Sequence, residues 1–162
     1  MIKGKAIKFG NNIDTDQIIG GEYLSLPTIQ SMVPYAFKNY KNFRDNYENG
    51  DIIVAESNFG CGSSREQAPA VLKEMGVGAI IAKDFARIFY RNAINLGIVV
   101  IECKDVDKID ELDILELELD KGILFNVTKN ERYYIEPIPE FMLSILKSGG
   151  IINYMRIKSS DL

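Results

Sequence analysis

The fold is decided by residues 51–102, which read DIIVAESNFGCGSSREQAPAVLKEMGVGAIIAKDFARIFYRNAINLGIVVIE. Three short apolar runs typical of buried strands alternate there with two longer segments whose apolar residues recur at helical spacing. The strand candidates are residues 51–55, 78–82 and 98–102, and the helix candidates are residues 64–75 and 84–96. This order of strands and helices predicts parallel strands joined by right-handed crossovers, which is the arrangement of an α/β fold.

The flanking sequence adds strands on both sides of this unit. A first strand is expected at residues 3–9, and the chain returns to period-two alternation towards its end. The later candidates are strands at 113–119, 122–127 and 132–136 and a helix at 139–147. The sequence therefore predicts a single α/β domain over residues 1–162, with a mixed parallel sheet and an antiparallel β flank.

Two segments between the first two strands are rich in turn-forming or helix-breaking residues. The polar run 10–17, GNNIDTDQ, predicts a loop that carries Asp14, Thr15 and Asp16. Residues 28–38 are predicted to form a helix despite an internal proline. The loop would place two carboxylates and a hydroxyl just after the first strand.

The helix at 84–96 is expected to turn one apolar face to the core. The residues that recur at helical spacing are Phe85, Ile88, Phe89, Asn92 and Leu96. Arg87 and Arg91 belong to the same segment. We interpret the segment as structural and assign these arginines no catalytic role.

Composition excludes several classes of protein. The chain has 162 residues, 46% of them hydrophobic, which suffices for one sizeable core. A net charge of -4 and a pI near 5.0 argue against a nucleic-acid partner. No stretch approaches the roughly 18 consecutive apolar residues of a membrane span, and the start, MIKGKAIKFGNN, lacks the apolar core of a signal peptide. We expect a soluble, cytoplasmic protein without a membrane partner.

The chain has no histidine and two cysteines, Cys61 and Cys103. The first absence excludes a Ser-His-Asp triad and leaves no plausible zinc site. An iron–sulfur cluster takes three or four thiolates, so these cysteines cannot hold one alone. We predict that both are buried apolar side chains.

The segment 58–66, NFGCGSSRE, lies between a predicted buried strand and a helix, where α/β folds bind ligands. Two glycines would let its backbone turn tightly. Ser63 and Ser64 are predicted in the first turn of the helix, where free N–H groups favour an anion, and Arg65 offers a planar fork for a carboxylate. The alternative is a purely structural role in helix capping, because Ser63 with Glu66, or Ser64 with Gln67, fits a capping box. Capping does not require the two glycines and the arginine, so the combination favours an anion site with a serine whose alkoxide could be stabilised.

Three separated stretches also carry a family resemblance. They are residues 12–16 (NIDTD), 58–69 (NFGCGSSREQAP) and 85–93 (FARIFYRNA). In order and spacing they resemble the signature blocks of the small subunits of isopropylmalate isomerase and homoaconitase. The similarity runs from the first strand to about residue 155.

The resemblance implies a swivelling β/β/α domain similar to the fourth domain of aconitase. In that family the domain docks on a large subunit that carries a 4Fe-4S cluster, as a heterodimer or heterotetramer, and itself binds no cofactor. The family moves a hydroxyl group between adjacent carbons of a small hydroxy acid by removing and re-adding water. The implied activity is that of a hydro-lyase in leucine biosynthesis, interconverting 2-isopropylmalate and 3-isopropylmalate.

The resemblance also implies roles for single residues. Ser63 matches the catalytic base, and Ser64 and Arg65 match residues that contact the substrate carboxylate. Thr15 matches a substrate-side position. Asp16 matches the catalytic-site aspartate that orients a histidine of the large subunit, against the alternative that it only forms a turn.

The resemblance places substrate discrimination in the loop Tyr23-Leu24-Ser25-Leu26. Homoaconitase-like members have an arginine where this chain has Ser25, and that arginine suits a further substrate carboxylate. The apolar loop here favours isopropylmalate, and also smaller relatives such as citramalate, over homocitrate. Two alternatives stay open: a homoaconitase small subunit, and a non-catalytic anion-binding regulatory domain.

Overall fold

One seven-stranded sheet organises the computed structural model, which describes residues 1–160. Its strands are β1 (Ile2–Lys8), β2 (Ile52–Val54), β3 (Ala79–Ala82), β4 (Val100–Glu102), β5 (Ile114–Glu118), β6 (Ile123–Asn126) and β7 (Glu131–Tyr134). Their order in space is β4-β3-β2-β1-β5-β6-β7. The pairs from β4 to β1 are parallel, and those from β1 through β5 and β6 to β7 are antiparallel. The predicted mixed sheet with an antiparallel flank is confirmed.

The sheet separates two hydrophobic cores. Because side chains alternate along a strand, Ile53 and Ile80 pack beneath the helices, whereas Ile52 and Ile81 pack towards the antiparallel strands. Beyond β7 the chain returns to the far edge of the sheet, where the Glu136 N–H donates to the carbonyl of Glu102 at 3.0 Å. The sheet therefore curls, and the second core lies inside the curl.

The helices surround the parallel half of the sheet. They are α1 (Thr15–Ile18), α2 (Ile29–Met32), α3 (Lys41–Asn46), α4 (Gln67–Glu74), α5 (Arg87–Asn95), α6 (Glu140–Lys147) and α7 (Ile151–Ser160). Helix α7 packs against α5 and α6. Among residues 1–160, every helix is too short or too polar to cross a bilayer. Helices α3 and α7 were not among the sequence predictions.

Two of the expected segments differ from the structure. Residues 10–17 are not all loop, because Asp14 caps α1 and forms a reciprocal capping box with Gln17. The expected helix at 28–38 is interrupted: α2 ends at Met32 and a 3-10 turn, Val33–Tyr35, follows. Proline in this turn lacks the N–H that a continuing α-helix needs.

The outward face of α5 also differs from the prediction. Phe89 is buried with Ala93 and Ile94, but Ile88 and Leu96 are exposed. The pattern located the helix correctly, but it assigned Ile88 and Leu96 to the face that packs on the core. Helical spacing does not distinguish a core face from an apolar surface.

Candidate active site

The loop that carries Ser63 and Ser64, residues 60–66, is pinned to the segment that follows β1. The Gly60 N–H donates to the Ile13 carbonyl at 2.7 Å, and the Thr15 N–H donates to the Cys61 carbonyl at 2.9 Å. The buried Thr15 hydroxyl donates to the Ser63 carbonyl at 2.6 Å. Thr15 therefore fixes the backbone of Ser63 and makes no bond to the serine side chain.

Two glycines make this close approach possible. Gly60 has φ +85°, and a Cβ on it would lie 2.2 Å from Phe89 Cγ. Gly62 has φ +88°, and a Cβ there would lie 3.2 Å from Asp14 Cβ. The left-handed backbone and the contact with the Phe89 ring both require glycine at position 60.

The two serines precede the helix and do not belong to its first turn. Helix α4 begins at Gln67, and its N-cap residue, Glu66, makes no side-chain capping bond. The predicted helix start at residue 64 is therefore wrong, and neither capping box forms. Tertiary contacts hold the loop instead: Thr15 binds the Ser63 carbonyl, and Gly62, just before it, has a left-handed backbone. Both serines are exposed, so a docking partner can reach them.

Free backbone donors surround the serines. Within residues 1–160, the backbone N–H groups from Gly62 to Gln67 find no protein acceptor. The last of them opens α4, where the helix dipole adds positive potential. Successive unpaired N–H groups in a turn form a concave anion site. An anion site at this loop stays a prediction, and the donors that would form it lie mostly before the helix.

Arg65 is held at one edge of its guanidinium. Nη1 donates to Asp16 Oδ1 at 2.9 Å and to the Ile19 carbonyl at 3.0 Å, and only 20% of the side chain is exposed. Within the described residues, Nε and Nη2 bind no acceptor. A fork anchored on one side and open on the other can bind a carboxylate with little further ordering.

Asp16 links this arginine to the loop after α1. Its Oδ1 also accepts from the Gly21 N–H at 3.2 Å. The hydrogen bond from Arg65, followed by that from Gly21, lowers the pKa of Asp16 below its usual value of 3.8. The carboxylate is thus ionised at neutral pH, and its side chain is 66% exposed. Oδ2 has no hydrogen-bond partner among residues 1–160.

A cavity of about 230 Å³ opens beside the two hydroxyls. Its polar lining comprises Thr15, Ser63, Ser64, Arg65, Arg87 and Asn92. Arg87 and Asn92 were not among the predicted site residues, because the α5 segment has the apolar spacing of a structural helix. The available signal was a polar residue, Asn92, within an otherwise apolar helical repeat.

Comparisons with known proteins identify the family to which this chain belongs. Residues 5–106 match the aconitase C-terminal domain. A 3-isopropylmalate dehydratase small subunit 1 from Archaeoglobus fulgidus is 48% identical over 154 residues, covering 94% of this chain and 96% of that protein. A 3-isopropylmalate dehydratase small subunit from Endomicrobium trichonymphae is 50% identical over 160 residues, covering 96% and 97%. The chain belongs to the 3-isopropylmalate dehydratase small subunits of the aconitase family.

A solved member of the 3-isopropylmalate dehydratase family supports the fold directly. The crystal structure of 3-isopropylmalate dehydratase from Methanocaldococcus jannaschii superimposes with a TM-score of 0.92 at 43% identity. The match covers 98% of this chain and 95% of that one. The family resemblance and the fold class expected from the sequence are both confirmed.

The loop that the resemblance linked to substrate choice in 3-isopropylmalate dehydratase small subunits lies beside the cavity without lining it. The Tyr23 ring stacks on Tyr35 with centroids 4.2 Å apart, and Lys38 Nζ donates to its hydroxyl at 2.7 Å. Leu24 and Leu26 pack partly buried against the first core, whereas Ser25 is exposed. Of the four, Ser25 is the side chain free to meet a ligand.

The two cysteines of this family member occupy different environments. Cys61, in the serine loop, is only half-buried, so the prediction that it is buried is wrong, whereas Cys103 is buried in the second core as predicted. Burial raises the pKa of both thiols, so neither is a ready thiolate. No group of three or more His, Cys, Asp or Glu side chains within residues 1–160 is arranged to hold a metal ion. Two separated thiols do not make up the donor set of a cluster.

Proposed function

We propose that this chain is the small subunit of a 3-isopropylmalate dehydratase, a hydro-lyase that interconverts 2-isopropylmalate and 3-isopropylmalate for leucine biosynthesis. The observation that carries the proposal is an exposed Ser63 whose backbone is fixed by Thr15, beside an open arginine fork and a run of free N–H donors. In this proposal residues 1–162 act as one swivelling domain in the cytoplasm, with no nucleic-acid or membrane partner.

The proposal assigns half of the active site to a second polypeptide. That large subunit carries a 4Fe-4S cluster, whose iron supplies a Lewis acid for the substrate hydroxyl and carboxylate. This chain supplies the base and the groups that bind the substrate carboxylate. Asp16, whose ionised side chain is exposed, suits a role in orienting a histidine of the large subunit.

Ser63 accepts the proton from the carbon next to a substrate carboxylate. A serine alkoxide needs positive potential at neutral pH, and the N–H groups from Gly62 to Gln67 supply it together with Arg65. Ser64 and the open edge of Arg65 bind the carboxylate, which gains negative charge as the proton leaves. Thr15 acts as a positioning residue, because its hydroxyl is already committed to the Ser63 carbonyl.

Arg65→Lys is expected to raise the Michaelis constant for isopropylmalate about tenfold or more, with a smaller effect on kcat. Lysine offers a single ammonium group, so it cannot bind Asp16 and a substrate carboxylate with two separate edges. Steady-state kinetics of the reconstituted enzyme measure both constants. An unchanged Michaelis constant would show that Arg65 does not bind the substrate carboxylate.

Ser25→Arg is expected to shift kcat/KM towards homocitrate by about tenfold or more relative to isopropylmalate. The exposed Ser25 is the position at which homoaconitase-like chains have an arginine, and a cation there pairs the additional carboxylate. Gln30→Arg adds the same charge at an exposed position on α2 and serves as the control. Equal shifts in both variants would show a general charge effect and no specific site.

The substrate assignment is tested by assaying the reconstituted pair with isopropylmalate, citramalate and homocitrate. The proposal expects the highest kcat/KM for isopropylmalate. Faster turnover of homocitrate would establish the homoaconitase alternative. Tight binding of a hydroxy acid by the isolated chain, without turnover in any pairing, would favour a non-catalytic regulatory domain.

A further inference from the structure

The outward face of α5 has the composition of an interface. Ile88 of this helix is 58% exposed, and Leu96, its C-cap residue, is 36% exposed. Arg87 and Arg91 are exposed on the same helix, and no carboxylate among residues 1–160 forms a salt bridge with either. Exposed large apolar residues beside unpaired arginines are typical of protein contact surfaces.

A groove extends this face. It has a volume of about 500 Å³ and lies between α5, the start of α4 and the start of α7. Its apolar walls include Ile29, Leu96 and Ile152, and the Ile152 side chain is 69% exposed. An open apolar groove of this size accommodates side chains of a partner.

The groove is continuous with the serine cavity. Asn92 lines both, and Glu66 and Gln67, which line the groove, follow directly after Arg65. A polypeptide that covers the exposed Ser63 to complete the site can therefore extend over the groove without a break. We therefore take the polypeptide that completes the active site to be the partner that occupies the groove.

We propose that the α5/α7 face, defined as Arg87, Ile88, Arg91, Leu96 and Ile152 with the groove between them, is the docking surface for the large subunit. The inference rests on the proposed function, because that function requires the second polypeptide. The complementary segment places an apolar side chain between Leu96 and Ile152 and carboxylates opposite the two arginines. The chain as a whole carries a charge of -4, so this local positive charge directs an acidic partner segment to the correct side.

Ile152→Asp and Arg91→Glu test the surface without touching the serine cavity. Both variants are expected to weaken binding of the purified large subunit by about tenfold or more, measured by titration calorimetry. At saturating small subunit, kcat should stay within about twofold of the parent value. Ile152 lies in the first turn of α7, where an acidic residue suits the helix dipole, so the fold should tolerate it. Circular dichroism and thermal unfolding check that point.

Matched controls make the same changes elsewhere. Ile157→Asp alters the same helix at an exposed residue that does not line the groove, and Arg132→Glu reverses a charge on β7. Both are expected to bind like the parent chain. The salt dependence of binding should also fall in Arg91→Glu and stay unchanged in Arg132→Glu.

Three results would overturn the inference. If the parent pair binds and turns over while both surface variants bind like the parent, the docking surface is elsewhere and the proposed function stands. If the parent chains neither bind nor turn over, both proposals fail. If sedimentation shows that this chain alone forms a dimer, and Ile152→Asp dissociates it without weakening large-subunit binding, the groove belongs to a second copy of the chain.

Discussion

Ser63→Ala is expected to lower kcat of the reconstituted enzyme by about a thousandfold, while subunit binding and cluster content stay unchanged. A positioned general base contributes on the order of 10²- to 10⁴-fold, and the substitution removes it completely. Assembly is preserved because the Ser63 side chain is exposed, and the bond from Thr15 is made to the backbone carbonyl, which alanine retains.

Ser64→Ala is the matched control for this substitution, because it removes the neighbouring hydroxyl from the same loop. Loss of a carboxylate contact should raise the Michaelis constant and lower kcat far less. Single-turnover measurements with both variants separate proton abstraction from binding. If Ser63→Ala keeps activity within a few-fold of the parent, or if Ser64→Ala shows the larger loss of kcat, the base has been assigned to the wrong residue.

Gly60→Ala is expected to reduce the free energy of unfolding by about 3 kcal/mol. Two costs combine: a left-handed conformation for a residue with a Cβ, about 1–2 kcal/mol, and overpacking against the buried Phe89 ring, about 1–3 kcal/mol. The new Cβ would lie 2.2 Å from Phe89 Cγ, so the ring or the loop must move. Denaturant unfolding measures the loss, which corresponds to a decrease in Tm of about 10 °C.

Two other glycines separate these costs. Gly122 has φ +66° and open space around its Cβ position, so Gly122→Ala should show the conformational cost alone. Gly10 has open space without the left-handed backbone, and Gly10→Ala should be neutral or slightly stabilising. Equal stability of the Gly60 and Gly122 variants would contradict the claim that the Phe89 contact holds the loop.

The parallel half of the fold was predictable because its signals are local. Buried parallel strands read as short apolar runs, and the helices between them show a clear period, so β2, β3 and β4 were located within two residues. The serine loop was located for the same reason, since its glycines lie between a strand and a helix. The position of the loop could thus be predicted from residue types alone, whereas its chemistry stays a prediction.

The start of α4 could not be predicted from local sequence. Ser63 and Glu66 match a capping box, but the bonds of that box are not made, and the Ser63 backbone is held instead by Thr15, which is distant in sequence. A tertiary hydrogen bond thus overrides a local preference.

The exposed face of α5 was unpredictable for a different reason. Ile88 and Leu96 fit the apolar period of a helix, and the period is the same whether the covering surface belongs to this chain or to another. Arg87 and Asn92 reach the serine cavity only because α5 starts beside the loop, where Phe59 and Phe85 form a β-bridge. Such proximity depends on the assembled sheet.

In the proposed function, this chain holds one half of an active site and a cluster-bearing polypeptide holds the other. The most direct measurement is turnover of 2-isopropylmalate by each purified subunit alone and by mixtures in which this chain is titrated into a fixed amount of the cluster-loaded large subunit. We expect no turnover by either subunit alone and a rate that rises with added chain until it saturates. Turnover by this chain alone, or a full rate from the large subunit without it, would show that the active site is not divided between the two polypeptides.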